Sequence, residues 1–259
     1  YISPDATLGN NVRIDPFAVI HENVTIGDDT HIMSNAVIMA ESFIGKHCIV
    51  YPGAVIGAVP QDLKFVGEKT TVEIGDHTTI REFVTINRGT KDRWKTVVGK
   101  HCLLMAYSHV AHDCILGDHV ILANTVQLAG HVEVGDYAIL GGLSGASQFT
   151  RIGKHTYIAG HTVISKDVPP FIKAGRTPIS YIGVNSVGLQ RRGFSKEIIN
   201  EILEIYRNIY YKGLNITQAL EIIENKLPES VEKTDIITFI KESERGIIKQ
   251  FTKEESDED

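Results

Sequence analysis

His112, Gly130 and Gln148 stand eighteen residues apart in a stretch that repeats every six. From Leu104 the repeated aliphatic positions are Val110, Leu116, Leu122, Leu128 and Val134. That period is neither the 3.6 of a helix nor the 2 of a plain strand. If three six-residue faces make one coil, the three residues fall in one column, separated by roughly the 5 Å of paired strands. A base, a glycine amide and a side-chain amide then share a line. Imidazole takes up and returns a proton near neutral pH, so proton transfer is the chemistry this column fits.

The frame that must position them extends over most of the chain. Aliphatic residues stand at every sixth position from Ile2 to Ile56, resume at Ile74, Ile80 and Ile86, and run in a new register from Val98 to Ile164, with Ala146 as a weak member. Two positions before each lies a small residue, and Gly, Asn or Asp often follows. In a strand, residues two apart point to the same side, so both columns face inward, and the residues that follow turn a corner. This is the pattern of a parallel β-helix of hexapeptide repeats. About eight coils make a prism on the order of 40 Å tall.

Two segments break the count. Residues 58–71 put Asp62 and Glu68 at aliphatic positions, and 88–97 hold a polar insertion that shifts the register. Both are expected to leave the prism as loops. The hexads stop after Pro170, and past Gly193 the period becomes helical, with Ser195 an N-cap. Helices are expected over 196–212, 217–226 and 234–249, and the final KEESDED reads as a disordered acidic tail. The division is thus a mainly β domain over 1–185 and a small α-helical domain over 186–259.

A net charge of −6 argues against general nucleic-acid binding. No apolar run is long enough to span a membrane and the N-terminus has no signal-peptide character, so a cytoplasmic protein is expected. Cys48, Cys102 and Cys114 all fall in the small-residue position and read as small buried hydrophobes.

The hexads, Gln61-Asp-Leu-Lys64-Phe, His109-Val-Ala-His112-Asp-Cys, Leu128-Ala-Gly130-His131, Asp167-Val-Pro-Pro170 and Gly188-Leu-Gln-Arg-Arg-Gly-Phe-Ser195 together closely resemble the UDP-N-acetylglucosamine O-acyltransferases. The resemblance implies a left-handed coil, an exception to the right-handed crossover rule. It implies transfer of a 3-hydroxyacyl chain from acyl carrier protein to the 3-hydroxyl of UDP-N-acetylglucosamine, the first step of lipid A synthesis, without a cofactor or metal. His112 matches the general base and Gly130 the oxyanion donor. Asp113 is a candidate to orient His112, although an adjacent residue in an extended chain points the other way. Asp62, Lys64, His109, His131 and Gln148 match substrate-contacting positions. Asn185, Arg191 and Arg192 match a nucleotide site completed by a neighbouring subunit, and Gly160 matches the position that sets acyl length. Ser147 and Val187 depart from the family, which carries His and Glu there. A homotrimer is expected, since outward histidines and arginines on a flat-faced prism form a cleft only where faces meet. The acidic carrier is expected to meet Lys173, Arg176, Arg192 and Lys196. Two other readings remain. One is a hexapeptide zinc enzyme of the carbonic-anhydrase kind, using His109, His112 and His131. The other is the related lipid A N-acyltransferase.

Overall fold

The computed structural model describes residues 1–251, so the KEESDED run lies outside the described residues. Three sheets of eight, eleven and eight strands run the length of the molecule. Most strands are two residues long, and each pairs in parallel with the strand one coil away. The register carries the eighteen-residue period directly: His109 pairs with Gln127, Gln127 with Gly145 and Gly145 with Val163. Starting from Thr7–Leu8, Arg13–Ile14 and Val19–Ile20, the chain visits the first, second and third sheet in turn and then repeats. The architecture is a parallel β-helix.

The aliphatic positions form its interior. Ile20, Ile38, Ile56, Ile86, Val110 and Leu128 make one column, each at 0 % exposure. Full burial of such a side chain stabilises by about 1.5–3 kcal/mol. Between them sit the small residues, including all three cysteines, whose thiols donate to carbonyls of the neighbouring coil (Cys114 to Ala129 at 3.2 Å). Burial pushes these thiols up to about 11, 11 and 12, so they are inert packing groups.

The corners are made by residues in the left-handed conformation. Edge I, from the first sheet to the second, has Asn11, Asp29, His47, His77, His101, His119, Tyr137, His155 and Phe171 there. Edge II, from the second to the third, has among others Phe17, Phe83, Tyr107, Leu143 and His161. Edge III, from the third back to the first, has Asn23, Glu41, Trp94, Asp113, His131 and Phe149. The conformation is unusual outside glycine, and a corner after every two-residue strand requires it.

Both irregular segments leave the prism at edge III, between Val55–Ala58 and Thr71–Ile74 and between Thr85–Asn87 and Lys95–Val98. The second is shorter than the sequence indicates, because the strand resumes at Lys95.

The hexads end in sequence before the sheet ends in space. Ile172–Gly175 still pairs in parallel with Tyr157–Ile158, then Ser180–Val184 turns back antiparallel to it. Among the described residues four helices follow: α1 (Ser186–Arg191), α2 (Lys196–Tyr210), α3 (Ile216–Lys226) and α4 (Val231–Lys241). The sequence reading misses α1, six residues with Gly188 inside. Ser195 caps α2 by accepting from the Ile198 amide at 3.3 Å. The last helix begins and ends earlier than 234–249, since Ser230 caps it and the chain then extends to place Lys249–Gln250 beside Ser180–Val184. Among the described residues no helix is long and apolar enough to cross a membrane.

Candidate active site

His112 and Asp113 form one corner of edge III. Asp113 has φ of 60°, and this left-handed turn swings its carboxylate toward the preceding side chain. His112 Nδ1 and Asp113 Oδ2 are 2.8 Å apart. The expectation that neighbours point apart assumed an extended backbone, and the corner is not extended.

Asp113 is fully buried and its lone pairs are all engaged. Oδ1 accepts from the amides of Thr90 at 2.9 Å and Arg93 at 3.2 Å; Oδ2 accepts from the Thr90 hydroxyl at 2.6 Å as well as from His112. Burial opposes ionisation, but these donors outweigh it and hold the carboxyl at about 2. An ionised Asp113 accepting from Nδ1 fixes the tautomer in which His112 Nε2 carries a lone pair.

Gly130 sets where that lone pair lies. A Cβ there would stand 2.6 Å from His112 Cε1 and 2.7 Å from Nε2, so the ring rests where any side chain would be. On edge I the amides of Asn10, Lys46, Lys100 and Asp118 each donate to an aspartate one coil further on. The Gly130 amide has no such partner among the described residues. A base and an unengaged N–H therefore adjoin.

His131 completes the group. Its ring is perpendicular to that of His112, centroids 5.2 Å apart, and stacks on Phe149 at 4.4 Å. Burial lowers its pKa, partly countered by Asp113 and Asp92. Nδ1 is 3.1 Å from Asp92, near enough for an ion pair but without hydrogen-bond alignment. Atoms of His112, Asp113 and His131 that are able to ligate a metal lie within 4.8 Å of one another. A cation would have to displace a donor from the saturated Asp113 carboxylate, so the arrangement suits proton transfer better than metal binding. His109, the third imidazole of the zinc reading, is outside this group and meets the Thr85 hydroxyl at 2.7 Å.

The other predicted residues divide by edge. Asp62 and Lys64, on the first loop, join His131, Phe149, Thr90 and Asp92 around a cavity of about 460 Å³. His109 lines a shallow apolar recess of about 330 Å³ on the third sheet with Ala111, Gly145, Ser147 and Val163. Gln148 is exposed one coil beyond Gly130, its carbonyl accepting from Arg245 at 3.0 Å. Arg192 and Asn185 lie against edge I: Arg192 donates to the Tyr137 carbonyl at 3.0 Å and covers its ring, and Asn185 donates to the His155 carbonyl at 2.9 Å. Arg191, the neighbour of Arg192, is exposed at the end of α1. Gly160 follows the second sheet, on edge II, its Cβ position 3.0 Å from the Gly142 carbonyl. One chain does not bring the arginines to His112. The sequence reading overlooks Thr90, Asp92, Arg93 and Phe149. Thr90 and Arg93 meet Asp113 across twenty-three and twenty residues, outside the eighteen-residue period, and the polar character of their loop was the one available signal.

Comparison with known proteins identifies the family. Residues 167–248 match a family model described as UDP-N-acetylglucosamine O-acyltransferase, domain 2, and residues 5–40, 23–58 and 95–130 match the bacterial transferase hexapeptide model. The acyl-(acyl-carrier-protein)–UDP-N-acetylglucosamine O-acyltransferases of Thermodesulfovibrio yellowstonii and Halorhodospira halophila are 42% and 44% identical, over 95% and 96% of this chain and 96% of each relative. The crystal structure of a UDP-N-acetylglucosamine acyltransferase from Bacteroides fragilis superposes with a TM-score of 0.95 at 51% identity, covering 96% of this chain and 97% of that one. The chain belongs to the UDP-N-acetylglucosamine O-acyltransferase family.

Proposed function

We propose that this protein transfers a 3-hydroxyacyl chain from acyl carrier protein to the 3-hydroxyl of UDP-N-acetylglucosamine, opening lipid A synthesis, with His112 as general base. The observation that carries the site assignment is the pairing of His112 Nδ1 with an ionised Asp113 while Nε2 stands against Gly130. Nε2 takes the proton of the sugar hydroxyl as its oxygen attacks the thioester carbonyl. The new C–O bond leaves charge on the carbonyl oxygen, and the Gly130 N–H stabilises it. Collapse breaks the C–S bond, and the imidazolium returns its proton to the departing thiolate. Asp113 orients His112 and stabilises its charged form, the part a buried carboxylate plays in a hydrolase triad.

Lys64, Asp62 and His131 surround the cavity beside this centre and are the proposed substrate contacts, together with His109 in its recess on the third sheet and Gln148 one coil beyond Gly130. Asn185, Arg191 and Arg192 are assigned to the nucleotide. Arg192 lies on edge I and His112 on edge III of the same prism, so these groups work together when edge I of one copy faces edge III of the next. A cyclic homotrimer satisfies that arrangement. Gly160 is assigned to the far end of the acyl groove, with long chains preferred. The carrier is placed on Lys173, Arg176, Arg192 and Lys196 in the cytoplasm. The division into a β-helical domain over 1–185 and a helical domain from 186 is proposed on the same footing.

Hydroxyacyl carrier proteins of graded chain length, incubated with UDP-N-acetylglucosamine, test the reading. Ester-linked product is expected, with greatest yield from long chains. No product from any donor would overturn the assignment, and light scattering of the active fraction checks the trimer.

A further inference from the structure

The loop 88–94 departs from the prism directly beside the His112 corner, and Arg93 is its firmest attachment. The Arg93 amide donates to Asp113 Oδ1 at 3.2 Å and Nη1 donates to the Asp113 backbone carbonyl, also at 3.2 Å. Nη2 donates to Glu133 Oε1 at 2.6 Å. Glu133 belongs to the next coil of the first sheet, where it pairs in register with Ile115 and with Arg151. Its second oxygen is 3.4 Å from Arg151 Nε, and Arg151 reaches Glu242 beyond α4 at 3.2 Å. One guanidinium thus joins the loop, the peptide of the catalytic corner and a strand of the rigid frame.

We infer that Arg93 is a positioning residue: its ion pair with Glu133 clamps the loop over the Asp113 peptide and so holds the His112–Asp113 pair in line for proton transfer. The inference rests on the acyl-transfer reading above. Its physical basis is the corner itself. Asp113 occupies a left-handed conformation that a non-glycine residue adopts at a cost, and in that conformation its carboxylate reaches His112. A bond to the Asp113 carbonyl holds the corner peptide, and the Thr90 and Arg93 amides hold the carboxylate. Arg93 suits this better than lysine would, because two nitrogens of its planar fork act at once.

The test uses Arg93→Ala, Glu133→Gln and the double variant. Each single change is expected to lower kcat roughly tenfold, with the KM for UDP-N-acetylglucosamine within about twofold. The double variant is expected to be no slower than the slower single, because both remove one clamp. A charge effect on His112 is separable by sign. The groups facing His112 are Asp113 and His131, with Asp92 and Arg93 behind them. Removing a cation raises the acid limb of the kcat/KM profile and removing an anion lowers it. Pure electrostatics would therefore move the limb oppositely in the two single variants, whereas loss of positioning lowers kcat in both. Amide hydrogen exchange reads the clamp independently of turnover: the backbone amides at positions 90 and 93 are expected to exchange at least tenfold faster in each variant. Unchanged exchange, additive losses, opposite shifts of the limb without a common fall in kcat, or a change confined to KM would each overturn the inference. If the unmodified protein transfers no acyl chain, the acyl-transfer reading falls, and the exchange rates still decide whether the clamp exists.

Discussion

Edges I and III are built from the same residue types at the same left-handed corners, yet one is a stack and the other is a site. On edge I, His47, His77, His101, His119, Tyr137 and His155 lie face to face with centroids 4.4–4.9 Å apart. The residues just before these corners are Lys46, Asp76, Lys100, Asp118, Asp136 and Lys154, which face solvent or bond a neighbouring coil. On edge III the stack of His131 on Phe149 stops at Asp113, and the histidine moves to the position just before the corner. It fits because the same position one coil on is Gly130. Histidine at a corner is therefore not enough. A buried carboxylate must replace one ring, a glycine must clear the next coil, and a loop must supply donors to keep that carboxylate ionised.

His112→Gln should break this contrast most. General-base catalysis contributes about 10² to 10⁴ in rate, or about 3–5 kcal/mol of barrier. A fall of that size in kcat is expected, with UDP-N-acetylglucosamine binding by calorimetry within a few-fold. Retention of most of kcat would move the base to His131.

Gly130→Ala should act through space alone. The new methyl would sit 2.6 Å from the His112 ring, which must rotate away from both Asp113 and the substrate. A fall in kcat of at least tenfold is expected, since about 1.4 kcal/mol of lost alignment corresponds to that factor. A crystal structure of the variant with the ring unmoved would contradict the account of this glycine.

Asp113→Asn sharpens the comparison through pH. The Asp113 carboxyl is held below its ordinary 3.8, at about 2, so the folded state binds its proton less readily than the unfolded state. Its contribution is present above pH 4 and is lost as pH falls through about 2. The difference corresponds to about 2 kcal/mol. Denaturant titrations should show the variant less stable by that order at pH 7, with the gap closing progressively below pH 4.

The smallest effect belongs to edge I. His101→Gln removes a ring from the middle of the stack, and kcat should stay within about twofold, because nothing there resembles the Asp113 and Gly130 arrangement. A large loss of kcat with the fold intact would mean that the two edges are chemically coupled.

How far the sequence could lead depended on which contacts obey its period. Columns such as Ile38, Ile56 and Ile86, and the pairing of His112 with Gly130, repeat coil by coil, and so were legible before any coordinates. The hydrogen bonds of Thr90 and Arg93 to Asp113 cross the register shift, where counting fails. The reach of Asp113 to His112 depended on a backbone conformation that spacing does not encode. At the far end, Ile172–Gly175 carries no hexad signal yet extends the second sheet, because Tyr157–Ile158 offers it a free edge. α1 was hidden by its length and by Gly188, while α2 announced itself through its Ser195 cap and apolar stripe.

The left-handed corners also act as a reading frame. If the chain coiled one residue out of phase, the positions demanding that conformation would pass to Val24, Val84, Val120, Val126 and Val132, which now lie one residue later and point inward. A left-handed β-branched residue costs roughly 1–2 kcal/mol, and the same slip would turn every isoleucine column outward. A frameshifted coil thus fails at its corners and its faces together. Repetitive sequences are prone to mispairing with themselves, and here each corner proofreads the strand that follows it.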